Sequence, residues 1–140
     1  MGLKTSAYTI ARRASQKLTE QGIEFSLFAP YNEKVALVGD WDNWQPIDML
    51  RGDDGWWRVN VPLKDGDYAY KFEVKSKSYF AEGQTLRVAD PYAPFLSRDS
   101  DENSCIIIKD GKPIVTTYQW QHDDVPLPNN QHLVMYELHV

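Results

Sequence analysis

Two tryptophans three positions apart are the residues of this chain best suited to chemistry. The stretch Gly39-Asp-Trp-Asp-Asn-Trp44 follows an apolar run and is rich in turn-forming residues. Hydrophobicity alone does not place two large indoles in a turn. One can fold back into a core while the other stays outside it. A flat exposed indole suits the apolar face of a sugar ring and keeps its N–H for a hydroxyl. The competing reading is that both indoles cap the end of the fold or pack on a further domain. Lys71 is out of phase with Tyr70 and Phe72, so it belongs to an outward face, where an ordinary solvated lysine is the plain alternative to a ligand contact. Tyr79 and Phe80 follow Lys75 closely, at a turn, and offer a second aromatic wall.

Catalytic candidates are fewer. None of His122, His132 and His139 has metal-ligand spacing to another ligand type on a regular element. His122-Asp123-Asp124 reads as a solvated polar loop. Glu137 and His139 share one face of a terminal apolar run and fit a site completed by other strands. Without a Gly-rich phosphate loop, a nucleophile elbow or paired carboxylates in a cleft, the piece reads as a binding or docking unit and not as an enzyme, with no metal or organic cofactor.

Composition narrows the class. The 140 residues give room for one domain plus tails, and 42% hydrophobic residues supply a core. A net charge of −5 argues against a nucleic-acid surface, which needs clustered Lys and Arg. The lone Cys105, in Cys105-Ile-Ile-Ile108, reads as a small buried hydrophobe in a reduced compartment; one cysteine makes neither an internal disulfide nor a cysteine zinc site. No apolar run approaches the ~18 residues of a membrane span, and the first twenty residues lack the apolar region of a secretory signal. A cytoplasmic protein without membrane partners is expected.

The elements that must position these side chains are mostly strands. Residues 1–22 form an extension in which Ala7, Ala11, Ala14 and Leu18 recur at helical spacing and Gly22 suits a helix C-cap, so a short helix is expected. From Ile23 the period changes to two. Ile23–Phe28, Val35–Val38, Trp57–Val61 and Tyr68–Val74 read as strands, with a short one around Tyr79-Phe80 and others at Arg87-Val88 and Ser104–Lys109. Asp53-Asp-Gly55 and Lys64-Asp-Gly-Asp67 are turn signals. Roughly seven short strands with turns every 8–12 residues indicate an immunoglobulin-like β-sandwich over 23–109. The core is expected to hold Phe25, Leu27, Val35, Leu37, Trp57, Val59, Tyr70 and Phe72. Residues 110–132, with Gly111, Pro113, Pro126 and Pro128, read as a linker. Leu133-Val-Met-Tyr-Glu-Leu-His-Val140 reads as a buried strand whose partners lie in a further domain, either unpaired in this chain or packed in a non-native way.

Several of these segments, in order, resemble a known family. They are Phe25-Ser-Leu-Phe-Ala-Pro30, Val35-Ala-Leu-Val-Gly-Asp-Trp-Asp-Asn-Trp44, Met49, Gly55-Trp-Trp-Arg-Val-Asn-Val-Pro62, Asp65-Gly66, Tyr68-Ala-Tyr-Lys-Phe72 and Ala89-Asp-Pro-Tyr-Ala93. Together they resemble carbohydrate-binding module family 48. That sandwich precedes the catalytic barrel in branching enzymes, isoamylases and related members of glycoside hydrolase family 13, and occurs in the glycogen-binding β subunit of the AMP-activated kinase. Residues 133–140 are similar to the first barrel strand of family 13 enzymes. The resemblance implies that Trp44 stacks on glucose, that Trp41 is core, that Lys71 contacts sugar hydroxyls, and that Tyr79 and Asn103 fall near a second stacking aromatic and a glucan-binding asparagine. The implied partners are an α-1,4-glucan such as glycogen, bound weakly, and the chain's own C-terminal catalytic barrel, on which many enzyme-attached members only dock. The implied parent is a 1,4-α-glucan branching enzyme. An α-amylase or debranching hydrolase, and a non-enzymatic glycogen-binding regulatory domain, are the alternatives.

Overall fold

The computed structural model describes residues 15–97 and 101–114, together with 121, 124–126, 129, 131, 132, 134, 137 and 138. Eleven strands follow in chain order among these: β1 (Gln16–Thr19), β2 (Gly22–Phe28), β3 (Val35–Gly39), β4 (Ile47–Asp48), β5 (Leu50–Arg51), β6 (Trp56–Val61), β7 (Gly66–Lys75), β8 (Thr85–Val88), β9 (Phe95–Leu96), β10 (Ser104–Lys109) and β11 (Lys112–Pro113). Among the described residues the one helical element is a 3-10 turn at Asp40–Asp42. A four-stranded sheet has the order β1-β2-β6-β5. The larger sheet runs β11-β10-β7-β3-β4, with β8 also on β7 and β9 on β10. All pairings are antiparallel. This is the expected all-β, immunoglobulin-like sandwich.

The core follows from the period of two. Alternate residues of β2 and β3 face the facing sheet and meet Tyr70, Phe72, Ile106 and Ile108 from β7 and β10. Phe25, Leu27, Val35, Leu37, Trp57, Tyr70 and Phe72 are buried as expected, while Val59 packs against that cluster half-buried. Between Asp48 and Leu50 one edge segment changes sheets, since β4 pairs β3 and β5 pairs β6. The corner is plugged by buried Met49, whose N–H donates to the Val35 carbonyl at 3.0 Å.

Several boundaries differ from the sequence reading. The sandwich begins before residue 23, because Gln16–Thr19 is a strand on β2 and not part of a helix. The apolar spacing at Ala7, Ala11 and Ala14 lies outside the described residues. Gly22 is no helix cap. It is a strand residue at φ +118°, and a β-carbon there would lie 2.6 Å from the Val61 carbonyl oxygen, so glycine is needed for close strand approach. Residues 110–132 do not open directly as linker, since Lys112–Pro113 pairs with β10. Tyr79 and Phe80 form no strand: they occupy the turn between β7 and β8, where alternation has no inner face to obey. Cys105 is half-buried on the outer side of β10 and not in the core. Of residues 133–140 only Val134, Glu137 and Leu138 are described, in no strand, and Val134 and Leu138 are exposed; the rest of that reading lies outside the described residues. No described helix is long and apolar enough to cross a membrane.

Candidate functional site

The outer face of the larger sheet is assembled by register. Leu37 opposite Phe72 faces the core, so Val38 opposite Lys71, and Ala36 opposite Glu73, face the other way. On the far side of β7, β10 stops at Ser104 opposite Tyr70 and β8 stops at Val88 opposite Phe72. Lys71 therefore stands at the seam where two partner strands meet end to end. Continuing the β10 register by one residue sets Asn103 beside Lys71. The Lys71 ammonium donates to the Asp101 carbonyl at 2.6 Å, and it carries two further N–H groups. The Asn103 backbone is held by Ser97, whose N–H donates to the Asn103 carbonyl at 2.8 Å and whose hydroxyl accepts the Asn103 N–H at 3.0 Å.

The 3-10 turn delivers the tryptophans to two different places. Asn43 and Trp44 both sit in the left-handed region, at φ 65° and 61°. Such a conformation is uncommon for a bulky residue and persists where surrounding bonds enforce it. Here the Trp44 N–H donates to the Gly39 carbonyl at 2.8 Å, and the Arg87 guanidinium donates to the Trp44 carbonyl at 3.4 Å. Arg87 itself pairs with Glu73 across the β7–β8 ladder, at 3.3 Å. The backbone of half-buried Trp44 is thus tied to the face that carries Lys71 and Glu73. Trp41 goes the other way. Its ring lies over Gly39 and meets Phe25 and Tyr68 at centroid distances of 5.7 and 6.2 Å. It packs on the core without being fully buried.

Of the residues singled out in the sequence, the strand register brings Asn103 alongside Lys71, and the Trp44 backbone is tied to Arg87, which lies across from Glu73 on the same strand as Lys71. Tyr79 is not gathered with them by any contact. It lies at the β7–β8 tip, 89% exposed, with its ring edge-on to Phe80 at 5.3 Å. The strand end at Lys75 is already about 13 Å along β7 from Lys71 at the usual rise per residue. Glu73 and Arg87 were not singled out; the signal that would have found them is the hairpin register, which sets opposite charges across from each other. His122 and His139 lie outside the described residues.

A buried polar knot sits just beneath this face. The Tyr70 hydroxyl donates to Asp90 Oδ2 at 2.5 Å and accepts from Gln16 Nε2 at 2.5 Å, while the Ser15 hydroxyl donates to the same Asp90 oxygen. The Asp90 N–H donates to Ser104 Oγ at 2.7 Å. Burial first, then the adjacent Asp90 carboxylate, push the Tyr70 phenol far above its ordinary range. The knot ties β1 of one sheet to β7 and β10 of the other, directly below Lys71 and Asn103.

Comparison with known proteins places this architecture. Over 129 residues the chain is 30% identical to the 1,4-alpha-glucan branching enzyme GlgB of Nitrosomonas eutropha, covering 85% of the chain and 16% of that enzyme. It is 38% identical over 77 residues to GlgB of Deinococcus radiodurans, covering 54% of the chain and 10% of the enzyme. The chain thus spans less than a fifth of the length of these relatives. A maltotriose complex of PulA from Klebsiella pneumoniae shares the fold with a TM-score of 0.57 at 24% identity, over 73% of this chain and 11% of that one. A family model, "Carbohydrate-binding module 48 (Isoamylase N-terminal domain)", matches residues 11–93. That span runs from the segment leading into β1 through the Asp90 knot and covers more than half of the sandwich-bearing chain: the protein belongs to carbohydrate-binding module family 48.

Proposed function

We propose that the outer face of the larger sheet binds an α-1,4-glucan through Trp44, Lys71 and Asn103. The observation that carries this reading is the left-handed clamp on Trp44, whose half-buried indole lies outside the core cluster while its carbonyl is tied to Arg87, across the ladder from Glu73. An indole face covers the apolar side of a glucosyl ring. The spare donors of Lys71 and the Asn103 amide then meet ring hydroxyls. Tyr79, on the exposed β7–β8 tip, extends the platform to a longer glucan. Stacking one sugar buries about 60 Å² of apolar surface, worth roughly 1.5 kcal/mol. After ordering costs, a module of this size binds on the order of millimolar to high micromolar. Trp44→Ala is expected to abolish detectable maltoheptaose binding while leaving the thermal midpoint nearly unchanged, since the indole is not part of the core. If the Trp44 indole resonance does not move on titration with maltoheptaose, the face is a docking seam and not a glucan site.

The parent protein is, on this reading, a cytoplasmic 1,4-α-glucan branching enzyme, as its relatives' names suggest. Its chemistry lies in a barrel C-terminal to this module, where one carboxylate forms a glycosyl intermediate and a carboxylic acid serves as acid and base before transfer to a 6-hydroxyl. The full-length protein acting on amylose is expected to create α-1,6 branch points without net gain of reducing ends. A stoichiometric gain of reducing ends would assign it instead to the debranching or amylolytic hydrolases.

A further inference from the structure

The smaller sheet turns its own outer face to solvent, on the opposite side of the sandwich from Lys71. Phe25 and Leu27 of β2 point inward, so Ser26 and Phe28 point outward, with Arg58 and Trp56 of β6 beside them in register. Leu50 of β5 stands next to Arg58. One end of this face is therefore apolar across three strands, from Phe28 through Trp56 to Leu50. Phe28 is 53% exposed and Leu50 80%, and the Phe28 and Trp56 ring centroids lie 5.4 Å apart. Single exposed apolar side chains are ordinary, but a contiguous cluster marks a contact surface. The backbone beneath it is fixed: the Gly52 N–H donates to the Trp56 carbonyl at 2.8 Å, and the Ala29 N–H donates to the Gly55 carbonyl at 3.2 Å. Arg58 donates twice to the Asp54 carboxylate, at 3.2 and 2.7 Å, and its guanidinium has further N–H groups to offer. Two aromatic rings and an arginine, held in place beforehand, have the composition of an interface centre and little ordering cost on binding. The rings are tilted 48° to each other, so they form a ridge suited to a concave protein surface and not a flat platform.

Tethering selects the partner. On the reading of the parent protein given above, a catalytic barrel follows this module on the same polypeptide, and most of the length of the relatives lies outside this chain. A tethered partner meets the face at an effective concentration on the order of millimolar, above what a free partner reaches. Two copies of the chain, each with a net charge of −5, repel one another instead. The path of the chain agrees. The strand β11 lies against β1, the edge of the smaller sheet. It also runs antiparallel to β10, back toward the Lys75 end of β7. At that same end Asn32 donates to the Lys75 carbonyl at 2.9 Å and fixes the loop that follows Phe28. We propose that the outer face of β2, β6 and β5 is the docking face for the barrel, with Phe28, Trp56 and Leu50 at its centre and Arg58 at its rim. Interfaces between domains of one chain bury about 600–1,500 Å² and stay partly polar, which suits an apolar centre flanked by Arg58 and Ser26. Docking here leaves the outer face of the larger sheet open, so the module holds the barrel on one side and a ligand on the other.

The test compares hydroxyl-radical labelling of the full-length protein with that of the 140-residue chain. Phe28 and Leu50 are expected to label about fivefold more slowly, or slower still, in the full-length protein, as side chains moved from solvent to the centre of an interface. Leu50→Glu in the full-length protein is expected to restore fast labelling of Phe28. The same substitution is expected to leave the thermal midpoint of the 140-residue chain unchanged, because Leu50 is exposed on an edge strand. Should the variant disturb that strand, the comparison of the two unsubstituted proteins decides by itself. Equal labelling rates overturn the proposal. Protection that fades on dilution also overturns it and assigns the face to a second copy. Protection of Trp44 with Phe28 and Leu50 still labelled overturns it too, and moves the docking face to the larger sheet. The reading of the parent is judged separately, by its branch points: a protected Phe28 in a protein that only hydrolyses amylose supports the docking face and removes the branching reading alone.

Discussion

Two residues of the same type, three positions apart and both half-buried, make different contacts: one packs on the core cluster and the other does not. Trp41 lies flat over Gly39 and reaches Phe25, whereas the Trp44 carbonyl is held by Arg87 on the outer face. Alternation in the flanking strands shows that a turn holds two indoles; it does not say which one turns inward. Where alternation does apply, it is decisive. Trp57 sits in phase on β6, is 6% exposed, and its indole N–H donates to the Ala29 carbonyl at 2.9 Å. Trp57→Ala is expected to destabilise the domain by about 3–5 kcal/mol, the cost of deleting a large buried ring. Urea unfolding checks this, and a loss below about 1 kcal/mol would remove Trp57 from the core. Tyr79 shows the converse: in a hairpin tip no face is buried, and spacing along the chain carries no information about direction.

At the scale of elements, strands were legible where one face is buried, as for β2, β6 and β7, and where a short apolar run is buried on both faces, as for β3. The strand β1 was not. Ser15 and Gln16 are buried polar residues, bonded to Asp90 and Tyr70, so hydropathy patterns miss them. The sheet-switching edge at Met49 was equally invisible, since two-residue strands have no period to read. The 3-10 turn depends on close packing that a sequence shows only as a glycine. A β-carbon at Gly39 would lie 2.3 Å from Trp41 ring atoms. Gly39→Ala is therefore expected to push Trp41 off Phe25 and to cost about 1–3 kcal/mol, as overpacking does. Thermal unfolding together with the Trp41 indole shift measures both effects; an unchanged midpoint and shift would mean that the turn yields freely.

At the scale of the molecule, the Tyr70–Asp90 knot joins both sheets and makes stability depend on alkaline pH. Tyr70 titrates in the fold far above its ordinary value of 10. A group whose folded value is raised contributes fully below its unfolded value and loses that contribution as pH rises toward the folded one. Stability is therefore expected to hold up to about pH 10 and to fall beyond it, as unfolding releases the phenol to ionise. Tyr70→Phe should cost about 1–3 kcal/mol at neutral pH by leaving Gln16 and Asp90 short of a partner, and should flatten the alkaline fall. Unfolding midpoints across that pH range, with phenolate absorbance as the second probe, test the sign; a variant that falls as steeply as the parent would place the alkaline loss elsewhere.

The class of fold, most of its core and the face of Lys71 could be read from the residues alone, because a strand with one buried side must alternate and its phase assigns every side chain to a face. Motif order carried the family. The partition of Trp41 and Trp44, the seam that sets Asn103 beside Lys71, the polar knot and the apolar patch across β2, β6 and β5 needed the tertiary structure. Each depends on strands distant in sequence meeting in a particular register, and on hydrogen bonds between residues as far apart as Ser15 and Asp90, whose pairing leaves no local pattern in the chain.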